Sequence, residues 1–97
     1  MSERDFQRSV IELAHLMGWR VYSIPDSRRT TLSGYPDLTL WNPKQQRVLF
    51  AELKTDKGRL RPEQVVVIDE LRQCGQQVCV WRPKDWDEIV TTLGKER

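Results

Sequence analysis

The alternation of apolar and polar residues in the middle of the chain predicts a β-hairpin. Two apolar-rich runs, residues 38–41 and 48–53, are joined by the polar segment N-P-K-Q-Q-R, in which Asn-Pro is a turn signal. Paired as antiparallel strands about that turn, Trp41 faces Val48 and Thr39 faces Phe50.

This register separates the side chains cleanly into two faces, because side chains alternate along a strand. The apolar face consists of Leu38, Leu40, Leu49, Ala51 and Leu53. The opposite face consists of Asp37, Thr39, Trp41, Val48, Phe50, Glu52 and Lys54. A slip of one residue would mix the two sets, so the pattern favours this pairing.

The register also places two carboxylates opposite each other at the open end of the hairpin. Asp37 and Glu52 would have Cβ atoms about 5 Å apart, where like charges repel. Such a pair usually has a cation nearby, and either Lys54 on the same face or a bound metal ion meets that need. A solvated cluster of the three charged side chains is the structural alternative, and the residues alone leave both interpretations open.

The flanking sequence predicts further helices and strands. Apolar residues recur at helical spacing over residues 3–17, and alternation over residues 19–24 predicts a strand. Pro62 begins a second helix whose broad buried stripe would contain Val65, Val66, Val67, Ile68 and Leu71. Residues 76–81 predict a last strand, and residues 85–93 a short C-terminal helix. The helix between the last two strands requires a crossover, so those strands should be parallel within a mixed four-stranded α/β sheet.

Length and composition restrict the class of protein. A chain of 97 residues has room for one domain, here taken as 1–97. With 31% charged and 38% hydrophobic residues it is typical of a globular protein, no run is long and apolar enough for a membrane span, and a cytoplasmic location is expected. Cys74 and Cys79 fit no metal-binding spacing and are predicted to be reduced core residues.

Positive charge is concentrated around the hairpin, although the formal net charge is only +2. The segment 25–36 has no periodicity and is long for a loop in a small domain, which indicates a functional loop. Backbone contacts to DNA are predicted for Arg28, Arg29, Thr30, Ser33, Lys57, Arg59 and Arg61. A solvated surface is the alternative for each of these residues.

Several motifs, taken together and in order, resemble a known nuclease family. G-Y-P-D-L at residues 34–38 is followed by E-L-K at residues 52–54, which resembles the P-D…(D/E)-x-K signature. Gly58, Leu60 and Gln64 then match the G-x-L-x-x-x-Q arrangement of the VRR-NUC branch of that superfamily. The opening S-E-R-D-F-Q and the closing V-C-V-W-R-P are also similar to that branch, so the resemblance covers nearly the whole chain.

The resemblance implies a restriction-endonuclease-like αβββαβ core and a metal-dependent site. Asp37, Glu52 and the backbone carbonyl of Leu53 would bind Mg²⁺ or Mn²⁺, with Asp37, Glu52 and Lys54 as the catalytic set. Glu3 on the first helix and Gln64 would support it. Ser23 departs from the pattern, because related sequences often have histidine there.

The function that the resemblance implies is hydrolysis of DNA phosphodiester bonds. Small proteins of this type resemble homodimeric, structure-selective endonucleases that act on branched DNA such as four-way junctions. The alternatives are a flap- or end-processing nuclease, a non-catalytic DNA-binding module of the same fold, and an interaction module with a charged surface.

Overall fold

The computed structural model describes residues 1–24 and 31–95. Within them the helices and strands follow the predicted order, with boundaries within one or two residues of those expected. The elements are α1 (Glu3–Leu16), β1 (Arg20–Ser23), β2 (Leu38–Asn42), β3 (Arg47–Leu53), α2 (Pro62–Gln73), β4 (Gln77–Trp81) and α3 (Trp86–Gly94). A 3₁₀ turn, Pro83–Asp85, leads into α3.

The four strands form one mixed sheet in the order β1-β2-β3-β4. β2 pairs antiparallel with β1 and β3, whereas β4 is parallel to β3. The predicted register of the hairpin is confirmed, because Trp41 is opposite Val48 and Thr39 is opposite Phe50. The mixed α/β architecture is therefore the one that the pattern predicted.

The hydrophobic core lies between α1, α3 and the apolar face of the sheet. Its buried members are Phe6, Val10, Ala14, Trp19, Leu38, Leu40, Leu49, Ala51, Leu53, Trp81, Ile89 and Leu93. Hydrogen bonds complete the packing at the end of α3, where the Leu93 carbonyl accepts from the Trp19 indole at 2.8 Å and from the Gln45 amide at 3.0 Å. Arg47 donates to the carbonyls of Thr92 and Lys95. These hydrogen bonds fasten the C-terminal helix to the hairpin turn.

Two predictions about burial were wrong. In α2, Val67 and Ile68 are buried, but Val65 and Val66 are 42% and 55% exposed. The helix rests on the sheet along one narrow side, so only part of its valine run can reach the core. Cys74, the C-cap residue of α2, is exposed rather than in the core, and Cys79 is half-buried. Both thiols are free, as predicted, and burial raises the pKa of Cys79 to about 11.

No helix among the described residues is long and apolar enough to cross a membrane.

Candidate active site

The candidate site lies where the open end of the hairpin meets the N-terminus of α2. Asp37 immediately precedes β2, and one of its carboxylate oxygens, Oδ2, accepts a hydrogen bond of 2.8 Å from the Leu53 backbone N–H. The last residue pair of the β2–β3 ladder is Leu38 opposite Ala51. The bond between Asp37 and Leu53 lies just beyond this pair, where a backbone hydrogen bond of the ladder would otherwise form. The hairpin therefore fixes the Asp37 carboxylate against the end of β3.

Glu52 is the most unusual residue of the site, because its carboxylate is buried with only 1% of the residue exposed. Its Oε2 accepts a 2.8 Å hydrogen bond from the Gln64 side-chain amide. Its Oε1 has no hydrogen-bond partner, and it is the only buried side-chain nitrogen or oxygen in the described ranges of which this is true. The solvated cluster considered as a structural alternative is therefore wrong.

Lys54 supplies the positive charge on the same face. Its ammonium lies 3.8 Å from Glu52 Oε2, and its side chain is only 14% exposed. Its backbone N–H donates to the Trp81 carbonyl at 3.0 Å, so β4 fixes the chain at this point. The hairpin thus places Asp37, Glu52 and Lys54 together, as the register predicted.

Gln64 connects the cluster to α2. Its side-chain oxygen accepts from the Arg61 backbone N–H at 2.8 Å, while its amide donates to Glu52. The glutamine therefore caps the first turn of the helix and orients the buried carboxylate at the same time. The residue pattern alone did not indicate this role for Gln64; only the resemblance pointed to it.

The loop before Asp37 closely approaches the start of α2. Gly34 is buried with φ of +93°, and its Cα faces the backbone of Glu63 at the start of α2. A Cβ added there would overlap the Glu63 carbonyl group. Any residue with a Cβ would therefore be strained here and would displace the loop or the start of α2.

The burial of Glu52 changes the pKa of its carboxyl group. Loss of solvation raises the pKa of Glu52 to about 8, the negative charge of Asp37 acts in the same direction, and the Lys54 ammonium opposes both. The carboxyl group is therefore largely protonated at neutral pH when nothing else neutralises it.

This pKa predicts how stability depends on pH. The folded state holds the Glu52 proton up to about pH 8, whereas an unfolded chain loses it near pH 4.5. Between those values the folded state binds more protons, so the free energy of unfolding should fall as pH rises, by a few kcal/mol in total (about 1.4 kcal/mol per unit). Urea unfolding at pH 5, 7 and 9 measures this. Glu52→Gln should flatten the slope, and Glu63→Gln, which alters a partly exposed carboxylate nearby, should retain it. An unchanged slope in Glu52→Gln would contradict the assignment.

The donor atoms fit a hard divalent cation. Glu52 Oε1 has no hydrogen-bond partner, Asp37 Oδ2 accepts a bond from the backbone, and both groups are carboxylates. The N–H and C=O of one strand residue point to the same side, so we expect the Leu53 carbonyl on the side of Asp37, which accepts from the Leu53 N–H. Oxygen ligands of this kind suit Mg²⁺ or Mn²⁺. No group of three or more His, Cys, Asp or Glu residues that could hold a metal occurs in the described part of the chain, so a cation here would complete its shell with water.

The remaining predicted residues are placed around the cluster or outside the described ranges. Glu3 is exposed at the start of α1 and is not hydrogen-bonded to the cluster. Arg28, Arg29 and Thr30 lie outside the described residues, as does the second P-D pair at positions 25 and 26. The side chains exposed to solvent are those of Ser33, Lys57, Arg59 and Arg61. Of these, Arg61 is paired with Glu63 at 3.3 Å.

One arginine near the site was missed. Arg82, directly after β4, donates through Nη1 to the carbonyls of Thr55 and Gly58. The predicted topology could have indicated this contact. Parallel neighbouring strands such as β3 and β4 end at the same edge of a sheet, so the residues that follow the two strands lie close together.

The strand order and the family comparison together assign the chain to the PD-(D/E)xK class of nuclease folds. The VRR-NUC domain model matches residues 8–85, and the chain belongs to that family. A solved VRR_NUC domain superposes with a TM-score of 0.74 at 24% identity, over 91% of this chain and 92% of that chain. A second, a VRR_NUC domain protein, gives 0.67 at 20% identity, over 100% and 93%.

Other similarities are more partial. Archaeoglobus fulgidus Hjc, a Holliday junction resolvase, superposes with a TM-score of 0.59 at 19% identity, over 82% of this chain and 68% of that chain. Fanconi-associated nuclease 1 homologs are 44% identical over 41 residues in Caenorhabditis elegans and over 36 residues in Schizosaccharomyces pombe. Those segments are 42% and 37% of this chain, but only 5% of each relative.

Proposed function

We propose that this protein is a divalent-metal-dependent DNA endonuclease that hydrolyses phosphodiester bonds in branched DNA, such as four-way junctions, as a homodimer. The observation that carries the proposal is the buried Glu52 carboxyl group, which has an unpartnered oxygen, lies beside the Lys54 ammonium and is affected by the charge of Asp37. A purely structural role would leave the fold with a buried carboxyl group that is costly to ionise and only partly hydrogen-bonded.

In this proposal the chain's own groups have separate roles. Asp37, Glu52 and the Leu53 carbonyl hold Mg²⁺ or Mn²⁺, and Gln64 keeps Glu52 turned toward it. When bound, the cation supplies Lewis-acid polarisation of the phosphate and a lower pKa for the attacking water. Lys54 orients that water or stabilises the negative charge that develops on the phosphate.

The choice of branched DNA as substrate is supported by the similar proteins and by the lack of sequence-reading motifs. One solved structure of similar fold is a Holliday junction resolvase, and two partial relatives are named nucleases. No helix-turn-helix or zinc-binding motif is present in the sequence, which favours recognition of DNA shape through backbone contacts. Flap or end processing is the alternative that the same site chemistry would serve.

The homodimer follows from symmetry. One domain offers one site, and symmetric incision of two strands needs two sites related by a two-fold axis. Of the four tryptophans of the chain, Trp19 and Trp81 are buried in the core. Trp41 is the most exposed, and Tyr22 and Val48 lie exposed near it on the sheet. Multi-angle light scattering should give the mass of two chains at micromolar concentration, and the mass of one chain would contradict the dimer.

The substrate experiment uses labelled four-way junction, flap and linear duplex DNA of matched sequence. With Mg²⁺ or Mn²⁺ we expect cleavage of the junction in preference to the linear duplex, and none in EDTA. Preference for the flap would replace the junction by the flap- or end-processing alternative. No cleavage of any substrate, although the protein binds DNA, would favour the non-catalytic module.

A further inference from the structure

The turn that follows Lys54, residues 55–58, is held by residues just beyond β4. Arg82 Nη1 donates to the carbonyls of Thr55 and Gly58, at 2.6 Å each, and so closes both ends of the turn. The Gly58 N–H also donates to the Thr55 carbonyl at 3.2 Å. From the other side, the Asp56 carboxylate accepts from the Lys84 backbone N–H at 3.1 Å. Four hydrogen bonds therefore hold this turn of four residues.

The partners of the turn are themselves fixed. The Arg82 backbone N–H donates to the Asp85 carboxylate at 2.9 Å, which caps the 3₁₀ turn. One residue earlier in β4, the Trp81 carbonyl accepts from the Lys54 N–H. Arg82 is therefore a rigid link between the end of the sheet and the segment immediately after the proposed catalytic lysine.

The turn carries free positive charge. Lys57 lies within it and Arg59 directly follows it, and both side chains are exposed. Neither forms an ion pair with another residue of the described ranges, in contrast to Arg61, which is paired with Glu63. The one acidic residue of the turn, Asp56, is bonded toward the 3₁₀ turn. Both cations therefore remain available to an anion.

From these hydrogen bonds we propose that Arg82 is a positioning residue, which holds the 55–58 turn so that Lys57 and Arg59 meet the phosphate backbone of DNA next to the cleavage site. The inference rests on the proposed function and adds the residue that organises substrate binding. A turn already fixed in the free protein loses little conformational entropy when DNA binds, so its cations contribute more to affinity. Arg82 itself has its Nη1 committed to carbonyls and acts through the turn.

The test compares Arg82→Ala with the wild type in cleavage of the four-way junction and in binding to the same DNA by fluorescence anisotropy in EDTA. We expect KM to rise about tenfold while kcat stays within about twofold, because binding and not chemistry is impaired. The plot of log affinity against log salt should become shallower, by about 0.9 for each phosphate that the protein no longer neutralises. Arg82→Lys, which keeps a donor at the position, should recover part of the loss in KM.

Two controls separate positioning from general damage. Arg47→Ala removes an arginine that also fastens backbone carbonyls, but at the hairpin turn, and it should lower stability without changing KM. In a Lys57→Ala/Arg59→Ala background, Arg82→Ala should add almost nothing to the loss of affinity, because the groups it positions are gone.

The proposal is overturned if Arg82→Ala and Arg47→Ala alter KM equally, or if the effect of Arg82→Ala is fully additive with the removal of the two cations. Failure of the proposed function would look different, since the wild type would then bind DNA without cutting any substrate. The anisotropy and salt measurements still test the positioning role in that case.

Discussion

Asp37→Asn should reduce metal-dependent cleavage by at least ~10³-fold while the protein stays folded. The asparagine oxygen can still accept the Leu53 N–H bond, so the hairpin end is retained, but the charge that would bind the cation is removed. A thermal-shift titration with Mn²⁺ should show stabilisation of the wild type and none of the variant. Asp69→Asn, an exposed change on α2, is the matched control and should behave as the wild type.

Lys54→Ala distinguishes metal binding from chemistry in the same assays. The lysine is proposed to act on the attacking water or the phosphate, so its removal should abolish cleavage and leave the Mn²⁺ shift in place. Full activity of Lys54→Ala would remove the role given to the lysine. Full activity of both Asp37→Asn and Lys54→Ala would refute the site.

Gly34→Ala should produce the largest loss of stability, about 2–4 kcal/mol. The left-handed conformation at φ of +93° is strained for alanine, and the new Cβ would overlap the Glu63 carbonyl group. Either the loop or the start of α2 must move, and both border the Asp37–Glu52 pair, so cleavage should fall as well. Chemical denaturation measures the first effect and the junction assay the second.

Gly75→Ala is the matched control for this prediction. Gly75 has a similar φ of +82°, but an added Cβ would meet nothing within 4 Å. Its alanine variant should therefore lose only about 1 kcal/mol, the cost of the backbone conformation. Equal losses at the two positions would show that the close approach to Glu63 contributes nothing.

The hairpin and its charged pair could be predicted from the sequence because the pattern that specifies them is local. The apolar side chains of residues 38–53 alternate with period two, and only one register keeps them on a single face. That register then fixes where Asp37 and Glu52 lie. The mixed sheet follows from the same logic, since a helix between two strands requires a crossover.

The burial of Glu52 could not be predicted in this way. It involves the contact with Gln64, which is a tertiary contact with no periodic signal. The burial of the valine run in α2 was predicted wrongly for a related reason. When several sides of a helix are hydrophobic, the sequence does not show which side the sheet covers. The contacts of Arg82 could not be predicted from residue types, because its partners are backbone carbonyls, which every residue has.

The side-chain hydrogen bonds of the fold differ in the length of chain between their two partners, which bears on the order of folding. The Leu53–Asp37 bond joins residues 16 apart, the Arg82–Thr55 bond residues 27 apart, and the Trp19–Leu93 bond residues 74 apart. Closing a longer loop costs more entropy, and long-range contacts tend to form late. The two carboxylates would therefore meet early, when the hairpin closes, and repel each other until α2 and β4 dock. Protein synthesis would present the charged end of the hairpin first. Gln64, which bonds to Glu52, and Arg82, which holds the turn after Lys54, would follow.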